Sequence, residues 1–326
     1  MPIDSRREHI ARFGYREPVG TTKTPPAKRI VCICRERHLD VPKTNGLSLL
    51  QTKTPHLVDN STQMRYNNLV NKIKWQNAAQ KGDSIMEYGL QLYSVRDITQ
   101  KGLEKAMKQV ADLGYTSVEF AGFFGNPAHE VGRMLRDTGL RISGTHTGWE
   151  ELTPDRIMGT ILYHKIIGNK NIIIPWADLS DRLKLGQFVA LVNQAQPLLA
   201  QHGITLSYHN HKDEFLPNKF GQIPHEVLQR CTNIKFEIDT FWAYAAGQDP
   251  IALLERLGDR VSVIHLKDGL AGGQGKALGE GTAPVAAVRE YAIAHGLEMV
   301  VESETLNPTG IKEVERCIKY LRSLEA

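Results

Sequence analysis

The stretch Tyr208-His209-Asn210-His211-Lys212-Asp213-Glu214-Phe215 closes the apolar run 204–208, and its reading decides the fold. Side chains of a strand alternate between faces, so Thr205, Ser207, His209 and His211 share one side while Ile204, Leu206 and Tyr208 share the other. Two imidazoles therefore lie on one face at a strand's carboxyl end. Three later strand-like runs end in the same manner: Lys235-Phe236-Glu237-Ile238-Asp239, then 261–267 with His265, then 298–304 with Glu302. The steps from His209 to Asp239, to His265 and to Glu302 are 30, 26 and 37 residues, around the roughly 30 that each unit of a (β/α)8 barrel needs.

Working outward, strand and helix signals alternate from Met86 to the end. Strands are expected at 88–93, 116–120, 141–146, 171–175, 204–209, 234–239, 261–266 and 298–302. Helical patterns lie between them at 102–114, 129–139, 182–202, 224–231, 250–257 and 283–295, several closed by glycine as at Asp112-Leu113-Gly114. Strict alternation implies a parallel sheet, and eight strands in about 240 residues suit a closed α/β TIM barrel. The competing architecture, an open doubly wound sheet, calls for a glycine-rich turn after the first strand, and Gln91-Leu92-Tyr93-Ser94-Val95-Arg96-Asp97 has none.

Residues 1–85 read differently. They hold Thr-Lys repeats and prolines, as in Thr21-Thr22-Lys23-Thr24-Pro25-Pro26, with one short apolar run near Ile30, and are expected to be a mostly disordered N-terminal extension. A basic, acid-poor leader also has the composition of an organelle transit peptide, whereas the polar segment 1–16 lacks the apolar centre of a signal peptide. Lys81-Gly82-Asp83 can be encoded by AAAGGAGAT, a ribosome-binding sequence. Translation is therefore expected to start at Met86, leaving 1–85 outside the native protein.

The net charge of +4 conceals a division. Residues 1–85 carry 15 Lys plus Arg against 7 Asp plus Glu, or +8; residues 86–326 carry 25 against 29, or −4. A nucleic-acid groove needs clustered positive charge, so the barrel is not expected to bind one. No apolar run reaches the roughly 20 residues that cross a bilayer. Four scattered cysteines (Cys32, Cys34, Cys231, Cys317) make no disulfide scaffold or zinc spacing and fit a reducing cytoplasm.

In a TIM barrel the carboxyl ends of the strands converge on one mouth, where active sites sit. His209, Asp239, His265 and Glu302 meet there in this reading. Two imidazoles and two carboxylates without a thiolate suit Mn²⁺, Co²⁺, Mg²⁺ or Zn²⁺ in a catalytic role, polarising a sugar carbonyl while a neighbouring C–H proton is removed. Each residue alone reads as a hydrogen-bonded core group; the joint placement at four strand ends is what favours a cation. The same periodicity nominates His211, Lys267 and Glu304 as neighbours, Lys267 for an oxyanion or as a solvated rim charge. Glu119, an acid inside the apolar second strand, and His146, closing the third, are candidates for proton transfer or for a structural pairing. Trp149, Trp176 and Trp242 follow strands three, four and six and either stack on sugar faces or pack loops. The glycine-rich loop 268–284 with Lys276 lies where such barrels commonly bind phosphate, and a flexible lid explains its glycines equally.

Tyr88-Gly89-Leu90-Gln91-Leu92-Tyr93-Ser94-Val95-Arg96-Asp97, Tyr208-His209-Asn210-His211 with Glu214-Phe215, Glu237-Ile238-Asp239, His265-Leu266-Lys267-Asp268, Leu278-Gly279-Glu280-Gly281 and Val301-Glu302 together resemble the sugar phosphate isomerase/epimerase family with its xylose isomerase-like barrel. The resemblance spans 86–326 and none of 1–85. It implies a divalent metal, often Mn²⁺, and proton transfer beside the carbonyl of a keto-sugar or sugar phosphate. The family includes ketose epimerases, inosose dehydratases, hydroxypyruvate isomerases and enzymes of 3-keto-glycosides. Many of its epimerases have Glu where this chain has His209, so their paired-carboxylate scheme does not transfer, and a dehydratase or lyase reaction gains weight. The superfamily also contains AP endonucleases, which need a basic DNA-binding face. A barrel that binds sugar without metal is the third alternative. The expected partner is a small-molecule sugar, with no nucleic acid and no membrane, and a homo-oligomer is left open.

Overall fold

The structure is a computed structural model and describes residues 86–325. The expectations for 1–85 lie outside the described residues. Eight parallel strands close into a barrel: β1 (Gly89–Gln91), β2 (Ser117–Ala121), β3 (Arg141–His146), β4 (Asn171–Ile174), β5 (Thr205–His209), β6 (Lys235–Asp239), β7 (Val261–Leu266) and β10 (Met299–Val301), the last hydrogen-bonded to both β7 and β1. Between β7 and β10 a small antiparallel pair, β8 (Asp268–Gly269) and β9 (Gly275–Lys276), stands apart. All eight barrel strands fall where the alternation placed them.

Among the described residues ten α-helices accompany the strands: α1 (Arg96–Thr99), α2 (Leu103–Asp112), α3 (Ala128–Thr138), α4 (Ile157–Ile167), α5 (Arg182–Gln201), α6 (Pro224–Cys231), α7 (Thr240–Ala245), α8 (Pro250–Leu257), α9 (Val285–His295) and α10 (Gly310–Ser323). Their starts follow local chemistry. Asp181 accepts from the backbone N–H groups of Leu183 and Lys184, each at 2.9 Å, and so caps α5. Helix α4 lacks a polar face: Met158, Leu162 and Ile166 are exposed while Ile157, Ile161 and Ile167 are buried. Its apolar residues fall on both faces, and Thr160 and His164 are buried, so the sequence shows no helical period to announce it.

The barrel wall sorts its two faces by chemistry. Leu90, Val118, Phe120, Ile172, Ile174, Leu206, Tyr208, Phe236, Ile238, Ile264 and Leu266 join the hydrophobic core beneath the helices. The interior is polar. Ser207 Oγ lies in hydrogen-bond contact with Asn171 Oδ1 at 2.8 Å and with Ser262 Oγ at 2.9 Å, linking β4, β5 and β7 across the lumen. Gln91, Glu119, Glu237 and His265 are each 0% exposed above them.

Two irregularities set the phase of this interior. The β2–β3 register shifts between Val118 and Glu119, and the β6–β7 register between Phe236 and Glu237. Ser143 and Ser262 are the extra residues. The bulge on β7 matters most, because Ser262 and His265 are three apart and strict alternation would place them on opposite faces. With the bulge, both meet interior partners. Gly144 serves the same interior: a Cβ there would lie 3.2 Å from Glu119 Oε2 and 2.6 Å from Ile173 Cδ1, so only glycine leaves room for the buried carboxylate.

Candidate metal centre

His209 ends β5, Asp239 ends β6, His265 lies on β7, and Glu302 follows β10, its N–H still bonded to Leu266 O at 3.0 Å. One donor atom from each lies within 4.8 Å of every other, and all four residues are buried. Donors sharing an ion through bonds of about 2.0–2.2 Å lie within about 4.4 Å of one another, so the set is a few tenths of an ångström wider than a closed shell. Asp239 Oδ2 and His265 Nδ1 are buried without a hydrogen-bond partner. Buried polar atoms ordinarily have one, and a cation shared with Glu302 and His209 would satisfy both. The residues present therefore fit a divalent ion.

Electrostatics agree with this placement. Burial pushes the Asp239 carboxyl up to about 7, with Lys267 pulling it down and Glu302 adding to the rise. For Glu302, burial is outweighed by Lys267 and His265, which hold it well below the carboxylate range. Burial brings His209 down to about 3, leaving a neutral imidazole with a lone pair to give.

The remaining nominated residues divide between the mouth and a deeper level. Lys267 Nζ lies 3.0 Å from Glu302 Oε2, 2.9 Å from Glu304 Oε1 and 3.6 Å from Asp239 Oδ2, and 4.8 Å over the Trp242 ring. It is 1% exposed, a buried member of the site rather than a rim charge. The His211 ring stands edge-on to His209 at 4.8 Å, its Nδ1 is without a hydrogen-bond partner, and burial holds it near 4. Trp242 lies 6.1 Å from His211, whereas Trp176 is largely exposed and Trp149 packs against the core.

Glu119 and His146 form a second cluster with Glu237. Glu119 Oε1 lies 2.9 Å from His265 Nε2 and 3.1 Å from His146 Nε2, and accepts from Gln91 Nε2 at 2.6 Å. Burial alone would raise this carboxyl, but His265 and His146 hold it far below its usual range. His146 is raised to about 10, because Glu119 and Glu237 outweigh its burial. Glu237 was not nominated, yet its Oε2 lies 2.8 Å from His146 Nε2 and 3.0 Å from His209 Nδ1. The signal was available: Glu237 stands two residues before Asp239 and so shares its face. Gln91, paired in register with Glu119, was missed in the same way.

The glycine-rich loop after β7 is pinned by an acid. Asp268 is buried and accepts from the backbone N–H groups of Gly269, Gly279, Gly281 and Ala283 at 2.7, 2.9, 3.0 and 3.1 Å. Its glycines permit close approach of backbone to that carboxylate.

A closed eight-strand parallel barrel with a set of N and O donors at its carboxyl-end mouth defines the class of (β/α)8 proteins whose sites lie in that mouth. The chain belongs to the xylose isomerase-like TIM barrel family, whose model matches residues 107–324. Among solved structures it is similar to a sugar phosphate isomerase/epimerase from Parabacteroides distasonis, at 25% identity and a TM-score of 0.64, covering 72% of this chain and 97% of that one. A probable 3-DHS dehydratase involved in petrobactin synthesis from Bacillus anthracis shares the fold at 15% identity and TM-score 0.59, covering 73% and 99%. An L-ribulose 3-epimerase does so at 14% and 0.55, covering 74% and 94%. No curated protein matches the chain. Among the described residues no helix is long and apolar enough to cross a membrane.

Proposed function

We propose that the chain is a divalent-metal-dependent isomerase or epimerase that moves a proton beside the carbonyl of a keto-sugar. The observation that carries this reading is the convergence of His209, Asp239, His265 and Glu302, with two of their donor atoms buried and making no hydrogen bond. These four would hold the ion, Mn²⁺ being the first choice for an N/O set and Co²⁺, Mg²⁺ or Zn²⁺ the others. When bound, the cation supplies Lewis-acid polarisation of the substrate carbonyl.

The chain's own groups do the rest. Lys267, kept charged by Glu302, Glu304 and Asp239, presents an ammonium for a developing oxyanion. His211 is neutral and has a free ring nitrogen beside His209, so it is the proposed proton acceptor. His211 returns the proton it has taken or one exchanged with water, and Glu304, about a quarter exposed, holds Lys267 in place at the solvent side. Trp242 supplies an apolar face at the same mouth. Glu119 and His146 are engaged with each other and with Glu237 and His265, and are assigned no contact with substrate.

The reading favours an unphosphorylated sugar, because the amides of loop 268–284 that would cradle a phosphate already donate to Asp268. The net charge of −4 over 86–326 weighs against a DNA substrate. A second reading, β-elimination of water or an aglycone from a keto-sugar, is favoured by His209 itself. With imidazole at that position the mouth lacks the second free carboxylate of paired-acid epimerisation, and elimination needs one base.

A panel of ketoses, ketose phosphates and 3-keto-glycosides incubated in deuterium oxide with the Mn²⁺-loaded protein tests both. Deuterium next to the carbonyl of recovered or epimerised ketose is expected; enone or released aglycone selects elimination. Turnover with no solvent label in any product would show hydride transfer and overturn the proposal.

A further inference from the structure

One buried carboxylate touches three imidazoles. Glu237 Oε2 lies 2.8 Å from His146 Nε2 and 3.0 Å from His209 Nδ1, and Glu237 Oε1 lies 3.2 Å from His265 Nε2. Glu119 meets two of the same rings, His265 Nε2 at 2.9 Å and His146 Nε2 at 3.1 Å, and is itself fixed by Gln91. A ring nitrogen facing a carboxylate carries the hydrogen, so each ring's other nitrogen is the one left with a lone pair. For His209 that is Nε2. For His265 two carboxylates lie closer to Nε2, at 2.9 and 3.2 Å, than the one beside Nδ1, Glu302 Oε2 at 3.4 Å, which is itself a candidate donor to the ion; the hydrogen is therefore assigned to Nε2 and the lone pair to Nδ1.

By spacing alone, His146, His209, Glu237 and His265 could also hold an ion. A second ion there would share His209 and His265 with the first set, and each imidazole would then have to bind through both nitrogens and lose both hydrogens. One ion above a hydrogen-bonded carboxylate level needs neither. The register supports this division. Glu237 is opposite His209 across β5–β6, and it directly follows the β6–β7 irregularity that turns His265 inward.

We propose that Glu237, seconded by Glu119, is a positioning residue that fixes the tautomer and ring orientation of both histidines so that His209 Nε2 and His265 Nδ1 face the cation. This rests on the metal reading above. Carboxylates behind metal-bound imidazoles act in this way, and losing one typically weakens metal binding by about 10–100-fold.

The test uses the purified full chain, Glu237→Gln, Glu237→Leu and, as a control for the site itself, Asp239→Ala. Free Mn²⁺ is titrated by electron paramagnetic resonance, and the His209 tautomer is read by nitrogen-15 NMR of the metal-free protein at pH 8. Wild type is expected to bind one Mn²⁺ and to show His209 with its hydrogen on Nδ1. Glu237→Leu should mix the tautomers and weaken Mn²⁺ by about 10–100-fold while keeping one site per chain; Glu237→Gln, which keeps the volume, decides the matter if the leucine variant does not fold. Mn²⁺ affinity within about twofold of wild type in both variants, with the tautomer unchanged, overturns the proposal, as does a second Mn²⁺ in wild type that Glu237→Gln loses. If wild type and Asp239→Ala both bind no Mn²⁺, the metal reading fails instead, and the tautomer still decides what Glu237 does.

Discussion

The barrel lumen contains two levels of charged groups that look alike in composition and differ in how they are satisfied. The deeper level sets Glu119 and Glu237 against His146 and the lower edge of His265, and each carboxylate has an imidazole within 3.2 Å. The mouth sets Asp239, Glu302 and Glu304 around one ammonium, Lys267, and leaves Asp239 Oδ2 and His265 Nδ1 in ion-pair reach of a neighbour with no hydrogen bond made. Proximity of acids and histidines is therefore no sign of a metal site by itself. Each level keeps one carboxylate oxygen per acid or fewer without a hydrogen-bond partner, Glu119 Oε2 and Glu237 Oε1 below and Asp239 Oδ2 above. What separates them is therefore the kind of counter-charge: imidazoles below, the single ammonium of Lys267 at the mouth.

Removing a donor from the mouth should break the comparison most severely. Asp239→Ala and Glu302→Ala are expected to lose stoichiometric Mn²⁺, measured by elemental analysis after dialysis, and with it several kcal/mol of catalytic stabilisation. Full retention of metal by both would place the ion elsewhere. Next, Lys267→Met deletes the mouth's own counter-charge, and in metal-free protein should cost about 3–5 kcal/mol in urea denaturation. Added Mn²⁺ should return part of that. A loss below about 1 kcal/mol would mean that the three carboxylates do not depend on this ammonium.

Acid response sharpens the contrast once the background from outside the lumen is known. Burial lowers His164 to about 4, and burial with Arg256 and Arg260 lowers His225 to about 3, from the ordinary 6.5. Both rings are neutral when folded and take up a proton on unfolding at any pH below about 6.5. Their contribution is thus fully present above pH 6.5 and is lost as pH falls through 4 towards 3, on the order of 3 kcal/mol each by pH 4. His225→Gln should flatten the stability profile between pH 6.5 and 4; an unchanged slope would show that His225 is not held neutral. The smallest effect is expected at Asp268, an acid satisfied wholly by backbone. Asp268→Asn turns amide hydrogens against donors and should cost about 1–3 kcal/mol by thermal unfolding, with Mn²⁺ binding unaltered.

The four candidate donors were legible because each stands at or beside the carboxyl end of a strand-like run, and parallel strands of one barrel deliver those ends to one place. Glu237 obeys the same period as Asp239 but was passed over, since an acid within an apolar strand has no visible partner until β5 and β7 are set beside it. His265 carried a hidden condition. Its inward placement together with Ser262 depends on an extra residue in β7, and nothing local in Val261-Ser262-Val263-Ile264-His265 marks a bulge. Lys267 read as evenly a rim charge or a site residue; only the three carboxylates and the Trp242 face around it show that it is buried.

By itself, the sequence determined the strand count, the parallel closed sheet and the strand ends that carry the donor-type side chains, because hydrophobic periodicity is local and a barrel follows from repeating it. The tertiary structure decided which charges are neutralised within the protein and which are left facing the mouth. That depends on ångström distances between strands far apart in the chain, and on two register shifts, which no spacing along the polypeptide encodes.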